Sequence, residues 1–566
     1  MFGDIVCIVC YILEETGQQG RGSEFYGIGI AGKTGILMGV NMSNIKLLDC
    51  TLRDGGYIND WNFGYQTIKS IIRKLVASQV DYVEVGFLRN CEYDRNKCLF
   101  NNCEEIRPIL PEKHGNTMFT AMALHNKYDV DRLEPYDGST IDAVRVTFHD
   151  YDIDEGLDFI CRVKEKGYKV FCNPINIMGY SDGQILELLK KVNELQPYAF
   201  SVVDTFGSMM RADLQRIYSL IEHNLDPSII IGLHLHENLA LSYSLAQDFI
   251  AMKASGRGSV IDGSMLGMGR VPGNLCLELI MDYMNKTQGS IYDVNPVLDG
   301  IDDHIARLKQ IEPWGYNTAY ALSAKFNLHR NYAEFLLNKG RLRAKQINQI
   351  LASIEEHKRT AYDEAYAEEL YQKFQNHEVD DRELLSKLRK ELQDQSVLIL
   401  APGHSLISQR EGLEKYIEEE APIIFSANFV PEDYRTDYIF CSNATRYEAL
   451  ENRKNSRGVL VTSNLMDVCN EKMVLNYSNL CFDEKGNCDN SVIMLLKLLL
   501  KLEIKEVYVA GFDGYRPEGD NYVTSDLVNQ HTRGQEVNRR NRRYVVDIRK
   551  QMKIVFLTDS VYDEQE

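Results

Sequence analysis

Eight times between residues 45 and 290 a short β-rich apolar run gives way to a longer segment, in most cases one of amphipathic character and crossover-helix length. The strands read at Ile45–Cys50, Val80–Phe87, Asn116–Met122, Ile141–Phe148, Tyr168–Asn173, Ala199–Asp204, Ile229–His234 and Ser259–Asp262. Helix-length segments between them include Tyr65–Ser78, Ile153–Glu165, Asp182–Leu195 and Arg211–His223, each able to return the chain for a parallel pairing. Eight such units predict a closed (β/α)8 barrel, and a barrel of that kind places its chemistry where strands end and βα loops begin.

The strand ends carry the polar residues that placement calls for. Strand one runs into Arg53 and Asp54, strand two holds Glu84, strand four ends at His149, strand six at Asp204, and strand seven finishes His234-Leu-His236. Side chains at i and i+2 share a face of a strand, so both imidazoles reach one point in the mouth, as a metal chelate requires. Asp54 closes the neighbouring end of strand one, and Asn274 follows strand eight. Two imidazoles, a carboxylate and an amide oxygen suit Mn2+, Mg2+, Co2+ or Zn2+.

Asp49-Cys-Thr-Leu-Arg-Asp-Gly, Val83-Glu-Val-Gly-Phe, Val203-Asp-Thr-Phe-Gly, His234-Leu-His-Glu-Asn and Gly267-Met-Gly-Arg-Val-Pro-Gly-Asn stand in the order of the motifs of the DRE-TIM metallolyases. Residues 45–290 resemble this HMG-CoA lyase-like superfamily, and within it the 4-hydroxy-2-oxovalerate aldolases. The resemblance implies a metal held by Asp54, His234, His236 and Asn274, Mn2+ first among the candidates, with Arg53 neutralising an enolate. It implies a reversible aldol addition of a pyruvate-like enolate to an aldehyde, with a Claisen-type acyltransferase or a non-catalytic scaffold as alternatives. Those aldolases carry a histidine three residues after the metal-binding aspartate, where this chain has Tyr57. Proton transfer is therefore open between Tyr57, His149 and a metal-bound water. Glu84 is either a catalytic acid or a support for Arg53.

Residues 291–350 read as short helices, whose Trp314, Tyr316 and His329 could reach the site or simply pack. A charged helical connector spans 351–395. From 396 to 566 strands and helices alternate again as a doubly wound, Rossmann-like domain, with ligands expected at the carboxyl ends of its strands. Ala401-Pro-Gly-His-Ser405, Ser426-Ala-Asn428 and Cys441-Ser-Asn443 resemble the turns of bacterial sialyltransferases and motility-associated glycosyltransferase-like proteins. That resemblance implies nucleotide or nucleotide-sugar contacts at Gly403, Ser405, Asn428 and Asn443, a base at His531, and a place in bacterial surface-glycan metabolism. Arg539, Arg540, Arg542 and Arg543 form a basic run on an expected helix, fit for a phosphate or a salt-bridged surface.

Composition narrows the partners. The formal charge of −19 repels nucleic acid and anionic membranes, and thirteen scattered cysteines fit free thiols in a reducing compartment, so a cytoplasmic protein is expected, while the resemblance to the aldolases implies a homo-oligomer. The apolar run Ile5–Leu13 is too short to span a bilayer. Residues 1–44 read as an extension, with Met42 as an alternative start. Its Gly27-Ile-Gly-Ile-Ala-Gly-Lys-Thr has phosphate-loop spacing without the flanking strand and helix, and Cys7 and Cys10 form a lone pair. Cys91, Cys98 and Cys103 crowd one loop without zinc-site spacing.

Overall fold

A computed structural model describes residues 44–112, 115–253, 256–270, 272–450, 456–484, 486–516, 521–523 and 534–563. The phosphate-loop pattern, the Cys7/Cys10 pair, Met42 and His531 lie outside the described residues.

Eight parallel strands close on themselves: β1 (Ile45–Asp49), β2 (Tyr82–Leu88), β3 (Met118–Leu124), β4 (Ala143–Phe148), β5 (Lys169–Pro174), β6 (Ala199–Asp204), β7 (Ile230–Leu235) and β8 (Ser259–Gly263). β1 pairs with both β2 and β8, which seals the barrel. The outer helices form for visible reasons. In α1 (Tyr65–Ala77) the buried Ile68, Ile71, Ile72 and Leu75 recur at the spacing of one helical face. In α3 (Asp182–Leu195) Ser181 and Gln184 satisfy each other's backbone N–H groups in a capping box. These apolar faces and the outward strand residues form one continuous core.

The barrel interior is layered by parity. Leu48, Tyr82, Ala143, Phe171, Ala199 and Val260 fill the floor as an apolar plug. Two residues further along β2, β4 and β8, on the same inward face, stand Glu84, Arg145 and Asp262. The polar layer of the barrel thus sits directly on an apolar seal and faces the mouth.

Behind the barrel, α7 (Thr318–Lys325), α8 (Asn331–Asn338), α9 (Ala344–Ala352) and α10 (Glu364–Gln375) share a small core around Tyr332, Leu336, Ile350 and Tyr371. In α11 (Arg382–Leu392) Leu388 and Leu392 are fully buried in the next core, so the charged stretch packs along one stripe and is solvated on the other.

A second parallel sheet contains β9 (Val397–Leu400), β10 (Ile423–Ala427), β11 (Tyr438–Cys441), β12 (Gly458–Thr462), β13 (Met473–Leu475), β14 (Glu506–Ala510) and β15 (Lys553–Phe556), ordered β13-β12-β11-β10-β9-β14-β15. The chain winds outward from β9 in one direction and then returns to β14 on its other side. The winding reverses between β9 and β14, where such sheets open a ligand crevice. Among the described residues, no helix is long and apolar enough to cross a membrane.

Candidate metal centre and a second cleft

The turn after β1 sets Arg53 and Asp54 at the barrel rim, fixed by the Trp61 indole, whose Nε1 donates to the Arg53 carbonyl at 2.7 Å. β7 delivers His234 and His236 with ring centroids 4.9 Å apart and nearly perpendicular planes. An isolated bridge joins His236 to Asn274 and so brings the loop after β8 to the same place. Ligand atoms of Asp54, His234 and His236 lie within 4.8 Å of one another, the one such group of histidine, cysteine and acidic side chains among the described residues.

The donors face the centre because their other atoms are occupied. His234 Nδ1 is 3.0 Å from Asp262 Oδ2, and His236 Nδ1 is 2.9 Å from the Asp204 carbonyl, which leaves both Nε2 atoms available. Asn274 donates Nδ2 to the Met268 carbonyl at 3.0 Å, and its buried Oδ1 has no hydrogen-bond partner. Asp54 Oδ2 is likewise buried without a hydrogen bond, 3.5 Å from His236 Nε2. Gly269 closes the cradle: a Cβ there would stand 2.3 Å from Asn274 Nδ2 and 3.0 Å from Asp54 Oδ2. Orphaned acceptors and spare imidazole nitrogens around one point fit a divalent cation.

Beneath the centre runs a chain of alternating charge. Asp54 Oδ1 accepts from Arg53 at 2.7 Å, Arg53 Nε donates to Glu84 at 2.7 Å, Arg145 donates to Glu84 at 3.2 Å and also to Asp262, which holds His234. Burial alone would raise the Asp54 carboxyl, but Arg53 and His236 overcome it and hold the group well below the usual range. Burial lowers His234 despite Asp262, so the imidazole keeps its lone pair. Asp262, also penalised by burial, is held ionised by Arg145.

Sequence reasoning missed Arg145 and Asp262. Their signal was parity, since an arginine in Ala143-Val-Arg-Val and an aspartate in Val260-Ile-Asp both fall on the inward face. The remaining expected residues scatter around the rim. Glu84 is fully buried between two arginines and orients Arg53. Tyr57 stands at the rim with its ring against Trp61 and Phe87, and desolvation of its hydroxyl with the Asp54 charge raises its phenol above the ordinary value. His149 stacks on Tyr151 with Nδ1 3.5 Å from Asp152. Asp204 accepts the N–H groups of Ser208 and Met209, a strand-end support. Trp314 packs with Nε1 on the Leu266 carbonyl, Tyr316 is exposed, and His329 reaches Arg270 at the mouth. Cys98 and Cys103 are buried, and Cys103 Sγ lies 3.3 Å from the Tyr168 hydroxyl.

Residues 44–305 match the HMGL-like family model. Besides the barrel, the HMGL-like region takes in α6 (Leu277–Gln288) and the short helical turns that follow it. Oxaloacetate decarboxylase of Mycobacterium tuberculosis is 23% identical over 281 residues, covering 47% of this chain and 80% of that protein. 4-Hydroxy-2-oxovalerate aldolase of Moorella thermoacetica is 24% identical over 276 residues, covering 47% and 79%. Among solved structures, HMG-CoA lyase of Bacillus subtilis superposes with a TM-score of 0.38 at 15% identity, covering 48% of this chain and 94% of that one.

Outside the HMGL-like region, a cleft of about 800 Å3 opens at the carboxyl ends of β9, β10, β11 and β14 and is walled on one side by the end of α8 and the residues after it. Gly403, Asn428 and Asn443 line it. Gly403 is required by close approach, since a Cβ would stand 2.3 Å from the Gly511 carbonyl oxygen. Asn428 accepts from the Ser442 N–H and Asn443 caps the helix Ala444–Glu448. Ser405 does not line the cleft: its N–H and hydroxyl bind Asp513 and Thr558, tying loop to loop. The helix α13 (Gly534–Arg549) sorts its basic run, turning Arg539, Arg540 and Arg543 into the cleft while Arg542 donates to the Val561 carbonyl.

Proposed function

We propose that the barrel is a divalent-metal-dependent aldolase that adds a pyruvate-like enolate reversibly to an aldehyde. The observation that carries this reading is the convergence of the orphaned Asp54 and Asn274 oxygens with two spare imidazole nitrogens beside a locked guanidinium. The names of the relatives, an oxaloacetate decarboxylase and 4-hydroxy-2-oxovalerate aldolases, support a 2-oxo acid substrate. Asp54, His234, His236 and Asn274 would hold a divalent ion, Mn2+ first among Mn2+, Mg2+, Co2+ and Zn2+, which would supply Lewis acidity toward the 2-oxo acid.

The protein's own groups do the rest. Arg53, pinned by Asp54 and Glu84, places a fixed positive charge where the keto oxygen gains negative charge. His149 accepts the proton leaving the methyl carbon, whose electron pair then forms the bond to the aldehyde carbon. Tyr57, a neutral phenol, returns a proton to the alkoxide left on the aldehyde oxygen. The layer of ion pairs below fixes these groups and the apolar plug closes the barrel floor to water.

Exchange of pyruvate methyl protons in D2O by the Mn2+-loaded full chain tests the reading. Exchange should be abolished by Asp54→Asn, and by His149→Gln with Mn2+ binding retained. Absence of exchange with all four ions would point to a scaffold, and consumption of acyl-CoA with a 2-oxo acid to the Claisen alternative.

For the second domain we propose a nucleotide or nucleotide-sugar site, favoured by the three arginines that α13 turns into a cleft at the winding reversal. A setting in surface-glycan metabolism is the extension of that reading.

A further inference from the structure

His149 is one member of a larger cluster at the end of β4. Val144, Val146 and Phe148 pack into the outer core and Ala143 into the floor, so Arg145, Thr147 and then His149 alternate onto the inward face, with His149 at the mouth. Asp152 follows as the N-cap of α2 (Ile153–Glu165), the position from which an aspartate ordinarily accepts an N–H of the first helical turn. It makes no such bond. Its carboxylate turns back instead: Oδ1 accepts from the His149 backbone N–H, and Oδ2 lies 2.8 Å from His125 Nε2 and 3.5 Å from His149 Nδ1. His125 is the first residue after β3, so the cluster ties two neighbouring βα connections together. The His149 ring stacks on Tyr151 with centroids 4.7 Å apart and an interplanar angle of 8°. Side chains of Asp152 and His125 are 10% and 16% exposed, whereas His149 keeps 31%, which makes it the member a substrate can reach. Burial alone would raise the Asp152 carboxyl, but His125 and the His149 N–H overcome it and keep the group ionised.

A neutral imidazole carries one N–H, and the partner at one nitrogen decides which nitrogen keeps the lone pair. His149 Nδ1 is buried and Asp152 Oδ2 is the carboxylate oxygen beside it, while Nε2 lies on the opposite edge of the ring. The separation of 3.5 Å is longer than a hydrogen bond, and orienting contacts of this kind tighten when substrate binds. We infer that Asp152 is the positioning residue for His149, holding its proton at Nδ1 so that Nε2 takes the proton of the methyl carbon, and that His125 in turn fixes Asp152. Nε2 gains that proton, the C–H electron pair passes into the enolate, and the Nδ1 proton stays on the ring, where the carboxylate stabilises the imidazolium that forms. Tyr151 holds the ring plane. This inference rests on the reading of His149 as the base of the aldolase, although the tautomer can be read without turnover.

Nitrogen-15 NMR of the histidine-labelled, Mg2+-loaded full chain, with the His149 signals assigned by their loss in His149→Gln, reads the tautomer of the neutral ring. The proton should sit on Nδ1, and in Asp152→Asn, where an amide can face that nitrogen, it should move to Nε2. Pyruvate methyl exchange by the Mn2+-loaded chain should fall in kcat by about 100-fold in Asp152→Asn, with KM changed by less than about twofold. Asp152→Glu should recover part of the rate, and Mn2+ binding should persist in both variants, which separates lost orientation from lost folding. His125→Gln, which leaves Asp152 in place, should weaken the Nδ1 preference and lower kcat in the same direction by a smaller factor. If the parent shows no exchange but the His149 proton moves in Asp152→Asn, the aldolase reading falls and the positioning stands. An unchanged tautomer in Asp152→Asn, or an unchanged kcat where exchange occurs, overturns the inference.

Discussion

Asp54 and His234 depend on residues they never share a ligand with. Asp262 holds His234 in the tautomer that frees Nε2, and Arg145 keeps Asp262 ionised. Asp262→Asn should therefore weaken Mn2+ binding by about 10- to 100-fold, measured by titration calorimetry, while leaving all four direct donors in place. Among the described residues, Arg145→Met removes the only arginine on the buried Asp262 and one of the two on Glu84, and should cost roughly 3–5 kcal/mol in a urea melt. A pH effect is expected from Asp49, whose carboxyl burial pushes up to about 7 against the opposing hydrogen bonds from Thr51. The folded state then holds a proton that the unfolded chain releases near pH 4, so this group lowers stability progressively as pH rises from about 4 to about 7. Chemical denaturation of Asp49→Asn at pH 5 and pH 8 should show a smaller loss across that range than the parent protein; an unchanged difference would remove Asp49 as the cause.

Among the elements, the eight barrel strands were legible because each is a largely buried β-rich run, and most are followed by a helix with a clear apolar face, although only short helical turns follow β2 and β3. β6 and α3 fall where periodicity places them, at Ala199–Asp204 and Asp182–Leu195. β13 was not legible: three residues at the edge of the second sheet are too few to show any period. That Asp54, His234 and His236 meet was readable because His234-Leu-His236 is a local pattern on one strand, whereas the Arg145–Asp262 pair joins β4 to β8 across the barrel and leaves no trace in neighbouring residues. Ser405 misled for a similar reason, since the turn motif around it is local but its partners, Asp513 and Thr558, are distant. Gly403 gives a test at this scale. Gly403→Ala would force β9 and β14 apart at their ends, and should lower the stability of the second domain by roughly 1–3 kcal/mol, read as an earlier thermal transition.

At the scale of the whole molecule, two parallel-sheet units each place polar groups at the carboxyl ends of their strands, and the helices between them take part in both. The second cleft gathers Arg539, Arg540 and Arg543 on one wall, with Lys339, Arg341 and Arg446 and five carboxylates around them, so its lining is nearly neutral within a chain of net charge −19. CMP should raise the melting temperature of the full chain, and Arg539→Gln with Arg543→Gln should abolish that rise; a panel of nucleotides without any shift would refute the nucleotide reading. Between the clefts lies α8. Its first residue, Asn331, receives the Arg270 hydrogen bond at the barrel mouth, and the chain leaving its last turn supplies Lys339 and Arg341 to the other wall. Eight residues of helix make a stiff peg about 12 Å long. A molecule that drags on Lys339 or Arg341 therefore tugs the peg that seats Asn331, and its arrival would register as a small displacement of Arg270 at the far doorway.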